Sequence, residues 1–266
     1  MVLVPGSQSL RYVLDHRNVS MNMNARDKLE SLWSEVSDAD RVAPSKIGGQ
    51  FYCEKKVDLE QELGDVETPE KQRGTETHEK AAEDAVEIEF DEMLHSIERG
   101  ERNVILETMF LGEAADFVVV GMPDAVVFED AKPQMIFDRK TTSNPGYLFK
   151  NQRIQVWLYG FMFDSLSFST DELQLCILSH EQTTGPTEAK ALQHLILDGE
   201  WDEGTHELGS DPEAILHVHD YDPTTYIEDL DWALEYWRGE RDPIPTTKPA
   251  KCRACVYNDV CADSKA

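Results

Sequence analysis

The chain has 266 residues, 40% of them hydrophobic, which is enough for one domain with a substantial core. Its 52 acidic and 25 basic residues give a formal charge of −27, and this excess argues against general affinity for nucleic acid or anionic membranes. No apolar run is long enough to span a bilayer and residues 1–17 lack signal-peptide features, so we expect a cytoplasmic protein. The acidic surplus is typical of a halophilic protein, whose self-repulsion concentrated salt would screen.

The first hundred residues are predicted to be mainly helical. Residues 1–45 form a polar, mostly helical extension in this interpretation, and a short helix is expected from Cys53 to Leu63. A long acidic helix is then predicted, with Thr75 as its N-cap and Gly100 as its stop.

Strands dominate the next part of the chain. Four strand-like runs, VILETMF, ADFVVVG, DAVVFED and QMIFDRK, are separated by breaks rich in Gly and Pro, which predicts an antiparallel meander. A largely buried helix is predicted within 146–165, followed by a strand at 173–179. Residues 181–213 are acidic and are predicted to be a solvated surface insertion. A strand at 214–220 and an amphipathic helix ending near Gly239 complete an α/β or α+β domain over residues 46–266.

One hairpin concentrates residues suited to phosphodiester hydrolysis. Asp138 and Lys140 are two positions apart on a predicted strand, so both point to one face. Asp124 begins the preceding strand, and an antiparallel turn would place it beside Asp138. Carboxylates hold Mg²⁺ or Mn²⁺, and a lysine can stabilise the charge that develops on phosphate. An Asp-x-Lys pair also occurs by chance as a surface ion pair, so this motif alone is weak.

Two further polar positions accompany the hairpin. His78 lies four residues after Gly74, in the first turn of a predicted helix, where a surface or capping histidine is the ordinary interpretation. Gln155 and Tyr159 are i and i+4 on the apolar helix that follows Lys140, so they share a face and need polar partners.

The cysteines suggest a second site. Cys252, Cys255 and Cys261 are close in sequence, and Cys53 is the candidate fourth ligand, because tetrahedral zinc and cubane clusters both use four. Cys176 lies in an apolar strand and is predicted to be a buried hydrophobic residue.

Taken together and in order, these motifs resemble a known family. Gly74…His78, Gly121-x-x-Asp124, Asp138-x-Lys140 and Gln155-x-x-x-Tyr159 are similar to the RecB-like branch of the PD-(D/E)XK nuclease superfamily. One cysteine before these motifs and three after them resembles its iron–sulfur subgroup, which includes the CRISPR-associated exonucleases of the fourth Cas family. The resemblance covers roughly residues 45–262, most of the chain.

The resemblance implies a fold and a set of site residues. The fold would be a restriction-endonuclease-like core, a mixed sheet flanked by helices, with an iron–sulfur clasp joining its N- and C-terminal parts. His78, Asp124, Asp138 and the carbonyl of Arg139 would bind the metal, with Lys140 catalytic, and Glu107 would be an additional acidic residue. The other implied site residues are Gln155 and Tyr159 beside Lys140, and Cys53, Cys252, Cys255 and Cys261 on a 4Fe–4S cluster. Zinc on the same four thiolates remains the alternative.

The implied function is a metal-dependent exonuclease acting on single-stranded DNA or DNA ends, in CRISPR adaptation or DNA repair. Integrase proteins or a helicase would be its partners; no membrane is involved, and no oligomeric state is predicted. Local charge supports a DNA partner, because residues 131–160 sum to +4 and residues 246–255 to +3 in an acidic chain. A non-catalytic, cluster-bearing DNA-binding subunit is the main alternative, and an electron carrier is weaker because its ligands usually form one compact motif.

Overall fold

A computed structural model describes residues 2–5, 27–29, 31–32 and 41–266. Most of the predicted helical extension over 1–45 lies outside these residues. The strands are β1 Val2–Pro5, β2 Arg41–Val42, β3 Val86–Ile88, β4 Asn103–Leu106, β5 Phe110–Ala114, β6 Phe117–Gly121, β7 Ala125–Glu129, β8 Lys132–Thr141, β9 Gln174–His180, β10 Gly204–Ser210 and β11 Glu213–Asp220. The helices that we label are α1 Pro44–Leu63, α2 Pro69–Ala81, α3 Phe90–Glu98, α4 Lys150–Ser165, α5 Pro186–Asp198, α6 Ile227–Trp237 and α7 Pro249–Arg253.

The strands form one large mixed sheet and one small sheet. The large sheet has the order β10-β11-β9-β8-β7-β4-β1-β3, and the small one the order β2-β6-β5. Strand β8 is central, antiparallel to β7 and parallel to β9. The predicted meander is therefore only partly correct, because β5 and β6 leave the large sheet and pair with each other and with β2. The expected mixed sheet flanked by helices is present.

Both faces of the central strands are buried. One face packs against α4 in a core that includes Phe128, Ile136 and Trp157, and the other packs against α5 in a second core that includes Phe137 and Ile196. Strands covered on both sides are expected to be almost continuously apolar. This explains why Asp138 and Lys140 stand out in the sequence of β8.

The single long helix predicted from Thr75 to Gly100 was wrong. Two helices, α2 and α3, occupy this stretch, and β3 lies between them. The N-cap of α2 is Thr68, whose side chain accepts a hydrogen bond from the amide of Lys71 at 3.3 Å. Strand β3 pairs in parallel with β1, and this tertiary pairing outweighs the helical propensity of the acidic run.

Two other predicted elements differ from the structure. Helix α1 begins at Pro44 rather than Cys53, and Cys53 itself is an extended residue (φ −170°, ψ 112°) that kinks the helix. The solvated loop predicted over 181–213 was wrong, because this stretch contains α5 and β10. Helix α5 buries Ala189, Gln193 and Ile196, so apolar residues at helical spacing had been masked by the acidic composition of the segment.

The residues between Glu107 and Asp124 form a hairpin of β5 and β6. Its turn is Ala115–Asp116, and Arg238 contacts Asp116 there at 3.1 Å. At its base the amide of Glu107 donates to the carbonyl of Asp124 at 3.2 Å. The hairpin therefore leaves the large sheet and returns to it at nearly the same point. Among the described helices, none has both the length and the apolarity to cross a membrane.

Candidate active site and cysteine cluster

The ends of β7 and β8 bring two buried aspartates together. Asp124 is 6% exposed and Asp138 is 3% exposed. The amide of Arg139 donates to Asp124 Oδ2 at 2.7 Å, so the backbone of β8 fixes the carboxylate that precedes β7. This is the juxtaposition predicted for the hairpin, and it is confirmed.

Helix α2 adds a histidine to this site, and the residue after β4 adds a glutamate. His78 Nδ1 lies 2.7 Å from Glu107 Oε1 and 3.4 Å from Asp124 Oδ1. One ligand atom from each of these three residues falls within 4.8 Å of the others. His78 is in the last turn of α2, not the first turn as predicted. We call His78, Glu107 and Asp124 the acidic triad.

Glu107 has an unusual backbone conformation. Its φ is 46°, in the left-handed region that few residues other than glycine adopt. Such residues persist where the surroundings enforce them, and they cluster at functional sites. Here the hydrogen bond from the Glu107 amide to the Asp124 carbonyl holds Glu107 next to Asp124, the other carboxylate of the triad.

The triad is electrostatically coupled. The hydrogen bond with Glu107 raises the pKa of His78 above its usual 6.5, burial opposes this, and the charge of Asp124 raises it further. Burial raises the pKa of Asp138, while Lys140 acts in the opposite direction. Burial, hydrogen bonds and neighbouring charges therefore all act on the protonation of the site.

Lys140 is held at the edge of this site by two partners. Its Nζ lies 2.8 Å from Asp138 Oδ2 and donates to Gln155 Oε1 at 3.0 Å. Gln155 in turn donates to the hydroxyl of Tyr159 at 3.1 Å, and Tyr159 donates to the carbonyl of Met122 at 3.4 Å. Burial raises the pKa of Tyr159, so this residue stays protonated. The predicted face shared by Gln155 and Tyr159 is confirmed.

Asp138 Oδ2 lies close to the ammonium of Lys140 but does not accept a well-aligned hydrogen bond from it. Among the described residues it has no donor of acceptable hydrogen-bond geometry, although Lys140 Nζ is near. We regard the contact as an ion pair, because charge attraction depends on distance more than on direction. A buried oxygen in this condition is suited to a further cationic partner.

The side chain of Arg139 faces the opposite side of β8. Its guanidinium lies 3.9 Å from Asp124 Oδ2 and donates to Gln193 Oε1 of α5 at 3.2 Å. Helix α5 therefore contacts the acidic site through Arg139, from the face of the sheet opposite to Lys140. The predicted role of the Arg139 carbonyl as a metal ligand stays a prediction.

The four cysteines predicted to act together line one cavity. Cys53, Cys252, Cys255 and Cys261 surround it, together with Tyr52 and Lys56. The extended conformation of Cys53 breaks α1 at this point, and the amide of Thr246 donates to its Sγ at 3.3 Å. Cys176 is fully buried in β9, as predicted, and burial raises its pKa to about 12.

Near the cavity, strong polar contacts that do not involve the sulfurs join the C-terminal segment to α1. Glu54 is 1% exposed and makes a bidentate ion pair with Arg241, at 2.5 and 2.7 Å. It also accepts from the amide of Ile244 at 2.8 Å. The hydroxyl of Tyr257 donates to the carbonyl of Gly64 at 2.7 Å. These contacts attach the C-terminal segment to α1.

Comparison with known proteins identifies the family. Residues 25–262 match the family described as the PD-(D/E)XK nuclease superfamily. The chain belongs to this superfamily. Its members are nucleases that use divalent metals, and the acidic triad is a possible site for such a metal. The superfamily implies DNA as the substrate.

Similarity to individual proteins is distant. A solved structure described as "Crystal structure of SSO0001" matches with a TM-score of 0.51 and 15% identity, covering 92% of this chain and 96% of that chain. At this identity the likeness concerns the fold. A search of curated proteins gave no match.

Within this PD-(D/E)XK domain, two supporting residues carried little sequence signal. Glu107 was expected only as an additional acidic residue, yet it contacts His78 directly. Its position just after the fully buried strand β4 could have indicated a site at the strand end. Gln193 lies in a segment predicted to be a loop, so its contact with Arg139 could not be foreseen.

Proposed function

We propose that the chain is a metal-dependent deoxyribonuclease that removes nucleotides from single-stranded DNA or DNA ends and carries a structural 4Fe–4S cluster. One observation supports the catalytic part above all. Lys140 is held between Asp138 and Gln155, next to a compact group of ligands that includes Asp124.

The donor set suits a hard divalent cation. Carboxylate oxygens with one imidazole are ligands for Mn²⁺ or Mg²⁺, and the buried Asp138 Oδ2 lacks a well-aligned hydrogen-bond donor among the described residues. His78, Glu107 and Asp124 are the residues that would hold the ion, with Asp138 as the further ligand that the resemblance implies. When bound, it would polarise the scissile phosphate and acidify water.

Lys140 would stabilise the negative charge that develops on the phosphate or orient the attacking water. An ammonium has three donors; one donates to Gln155, and the charge pairs with Asp138 at 2.8 Å. A further donor is left for a phosphate oxygen or for the attacking water. Because Lys140 is mostly buried, its positive charge acts in a medium less polar than water, where stabilisation of developing negative charge is strongest.

Gln155 and Tyr159 keep Lys140 in place. The hydrogen-bonded series from Lys140 through Gln155 and Tyr159 to the Met122 carbonyl links α4 to the loop before Asp124. The ammonium is therefore positioned before substrate arrives, which lowers the entropic cost of reaching the transition state.

All four cysteines line one cavity, and four thiolates can hold either a 4Fe–4S cluster or a zinc ion. The cluster is the group that the resemblance implies, and metal analysis separates the two.

The test is anaerobic purification, followed by iron and zinc analysis and digestion of end-labelled single-stranded and duplex DNA with Mg²⁺ or Mn²⁺. We expect about four irons per chain and stepwise shortening of the single strand. The Asp138→Asn variant should bind iron equally and leave the DNA intact. DNA binding without metal-dependent cleavage would instead favour the non-catalytic subunit, and a zinc-loaded, colourless protein would contradict the cluster.

A further inference from the structure

A groove connects the candidate active site with the cysteine cavity. It lies between α1, the first turns of α4 and residues 254–256, and its volume is about 280 Å³. Gln155, which binds Lys140, is at one end, and Cys255 is at the other. Tyr52, Lys56 and Cys255 line both the groove and the cysteine cavity. We call this feature the strand groove.

The floor of the strand groove is made by two helices in backbone contact. A Cβ atom added to Gly48 would lie 2.6 Å from the carbonyl oxygen of Asn151 and 3.3 Å from Gln155 Cβ. Helix α1 therefore touches α4 at Gly48, and the cleft opens beside it at Gly49. A cleft of this volume takes a group of small-molecule size, which a segment of single strand can enter and a duplex cannot.

The lining chemistry suits a nucleotide strand. Lys46 and Lys56 supply positive charge, and Asn151 supplies an amide that can donate and accept. Lys46 pairs with Glu60 at 2.9 Å but keeps its side chain 34% exposed, so a phosphate can reach it. The ring of Tyr52 has Lys56 Nζ at 5.8 Å and Lys251 Nζ at 4.5 Å from its centroid. An aromatic face beside cations is the usual platform for bases and backbone of single strands.

We propose that the strand groove binds the part of a single DNA strand adjacent to the phosphate being cleaved. Lys46 and Lys56 contact phosphates, Asn151 contacts a sugar or base, and Tyr52 stacks on a base. The strand thus extends from Lys140 towards the cysteine cavity. In a chain of net charge −27, such a local path restricts DNA binding to a strand that can enter the cleft. The proposal rests on the proposed nuclease function and adds the feature that selects its substrate.

The experiment compares two variants with the same change in net charge. Lys46→Gln with Lys56→Gln removes both groove cations, whereas Lys132→Glu changes the charge by the same amount at the far end of β8, about 26 Å along the strand from Lys140. Affinity for oligonucleotides of about 4 and about 12 nucleotides is measured without divalent metal, over a range of salt. Iron content and cleavage of the shorter oligonucleotide are measured on the same preparations.

We expect the groove variant to weaken binding of the longer strand about tenfold or more and to reduce its log–log salt slope by about 1.4, since each lost phosphate contact contributes about 0.7. Its iron content should equal that of Lys132→Glu, because neither change removes a cysteine. An unchanged salt slope, or an equal loss of duplex affinity, would overturn the groove assignment. Loss of cleavage in every protein, wild type included, would instead refute the proposed function.

Discussion

The acidic triad and the cysteine cavity are both sets of potential ligands, but the chain assembles them in different ways. The triad residues lie within 4.8 Å of one another and are fixed by a sheet amide and a strained backbone at Glu107. The four cysteines line a common cavity, and Cys53 is 199 positions from Cys252 in the sequence.

This difference indicates different roles for the two occupants. The triad is organised by protein contacts, so metal binding there should cost little rearrangement, and its effect on stability should follow the metal's affinity and concentration. The cysteine cavity joins distant parts of the chain, so whatever the thiolates hold should contribute directly to stability. Removing each feature in turn separates catalysis from stability.

The largest expected effect is on catalysis. Lys140→Ala should reduce the cleavage rate by about 10³-fold or more while leaving Mn²⁺ affinity nearly unchanged, because lysine is not a ligand. Asp124→Asn should lose both metal affinity and cleavage. Calorimetric Mn²⁺ titration and single-turnover kinetics on both variants make the distinction. Normal cleavage by Lys140→Ala would remove this residue from the catalytic site.

The next effect should be on stability. Cys252→Ser should lose the bound iron and destabilise the fold by about 4 kcal/mol, the scale expected when a cross-link that closes a long loop is removed. Cys176→Ser is the control, since that thiol is buried in a different part of the molecule. Denaturant unfolding and iron analysis are the measurements. Equal iron loss from both variants would mean that the cavity is not the binding site.

A smaller effect is expected on the pKa of His78 when Glu107 is replaced. Glu107→Gln should lower the pKa of His78 in the metal-free protein, because the hydrogen bond with Glu107 is the main cause of its elevation. A histidine with a raised pKa stabilises the fold below its unfolded pKa, and this contribution disappears as pH rises through the folded pKa. The wild-type protein should therefore lose this stability above pH 6.5, and the variant should lose less.

NMR titration of the histidine resonances, with thermal melting over the same pH range, measures both quantities. Weaker Mn²⁺ binding by about 10–100-fold is also expected in Glu107→Gln, as for other residues that orient ligands. An unchanged His78 titration would show that the Glu107 contact does not form in solution.

The smallest expected effect tests how α1 positions the active site. Gly48→Ala would place a methyl group against Asn151 and Gln155, so it should cost about 1–3 kcal/mol of stability and lower the cleavage rate by displacing Gln155 from Lys140. Gly74→Ala in α2 is the matched control, since nothing lies within 4 Å of its added Cβ. That control should be neutral or stabilising by up to about 1 kcal/mol. Equal kinetics for the two variants would exclude the positioning role.

Sequence patterns predicted the catalytic strand well because its constraints are local. Alternation on β8 places Asp138 and Lys140 on one face, and helical spacing places Gln155 and Tyr159 on one face, whatever the rest of the fold does. Their contacts at 2.8 and 3.1 Å follow from those two periods.

The parts that could not be predicted depend on tertiary pairing. Strand β3 exists because β1 lies beside it, and the helical pattern of the surrounding run gave no sign of this. The role of Glu107 depends on a left-handed backbone residue, which no propensity favours for glutamate. The pairing of β5 and β6 with β2 likewise combines segments whose individual patterns fit one sheet equally well.

The β5–β6 hairpin offers an insertion point for engineering. Its base is pinned at Glu107 and Asp124, while its turn, Ala115–Asp116, is exposed and contacts the rest of the protein through Arg238. Exposed turns of this kind accept inserted segments. A tag or fluorescent domain placed between Ala115 and Asp116 would lengthen the loop without separating its two ends. The same site allows the enzyme to be immobilised or labelled while the acidic triad keeps its geometry.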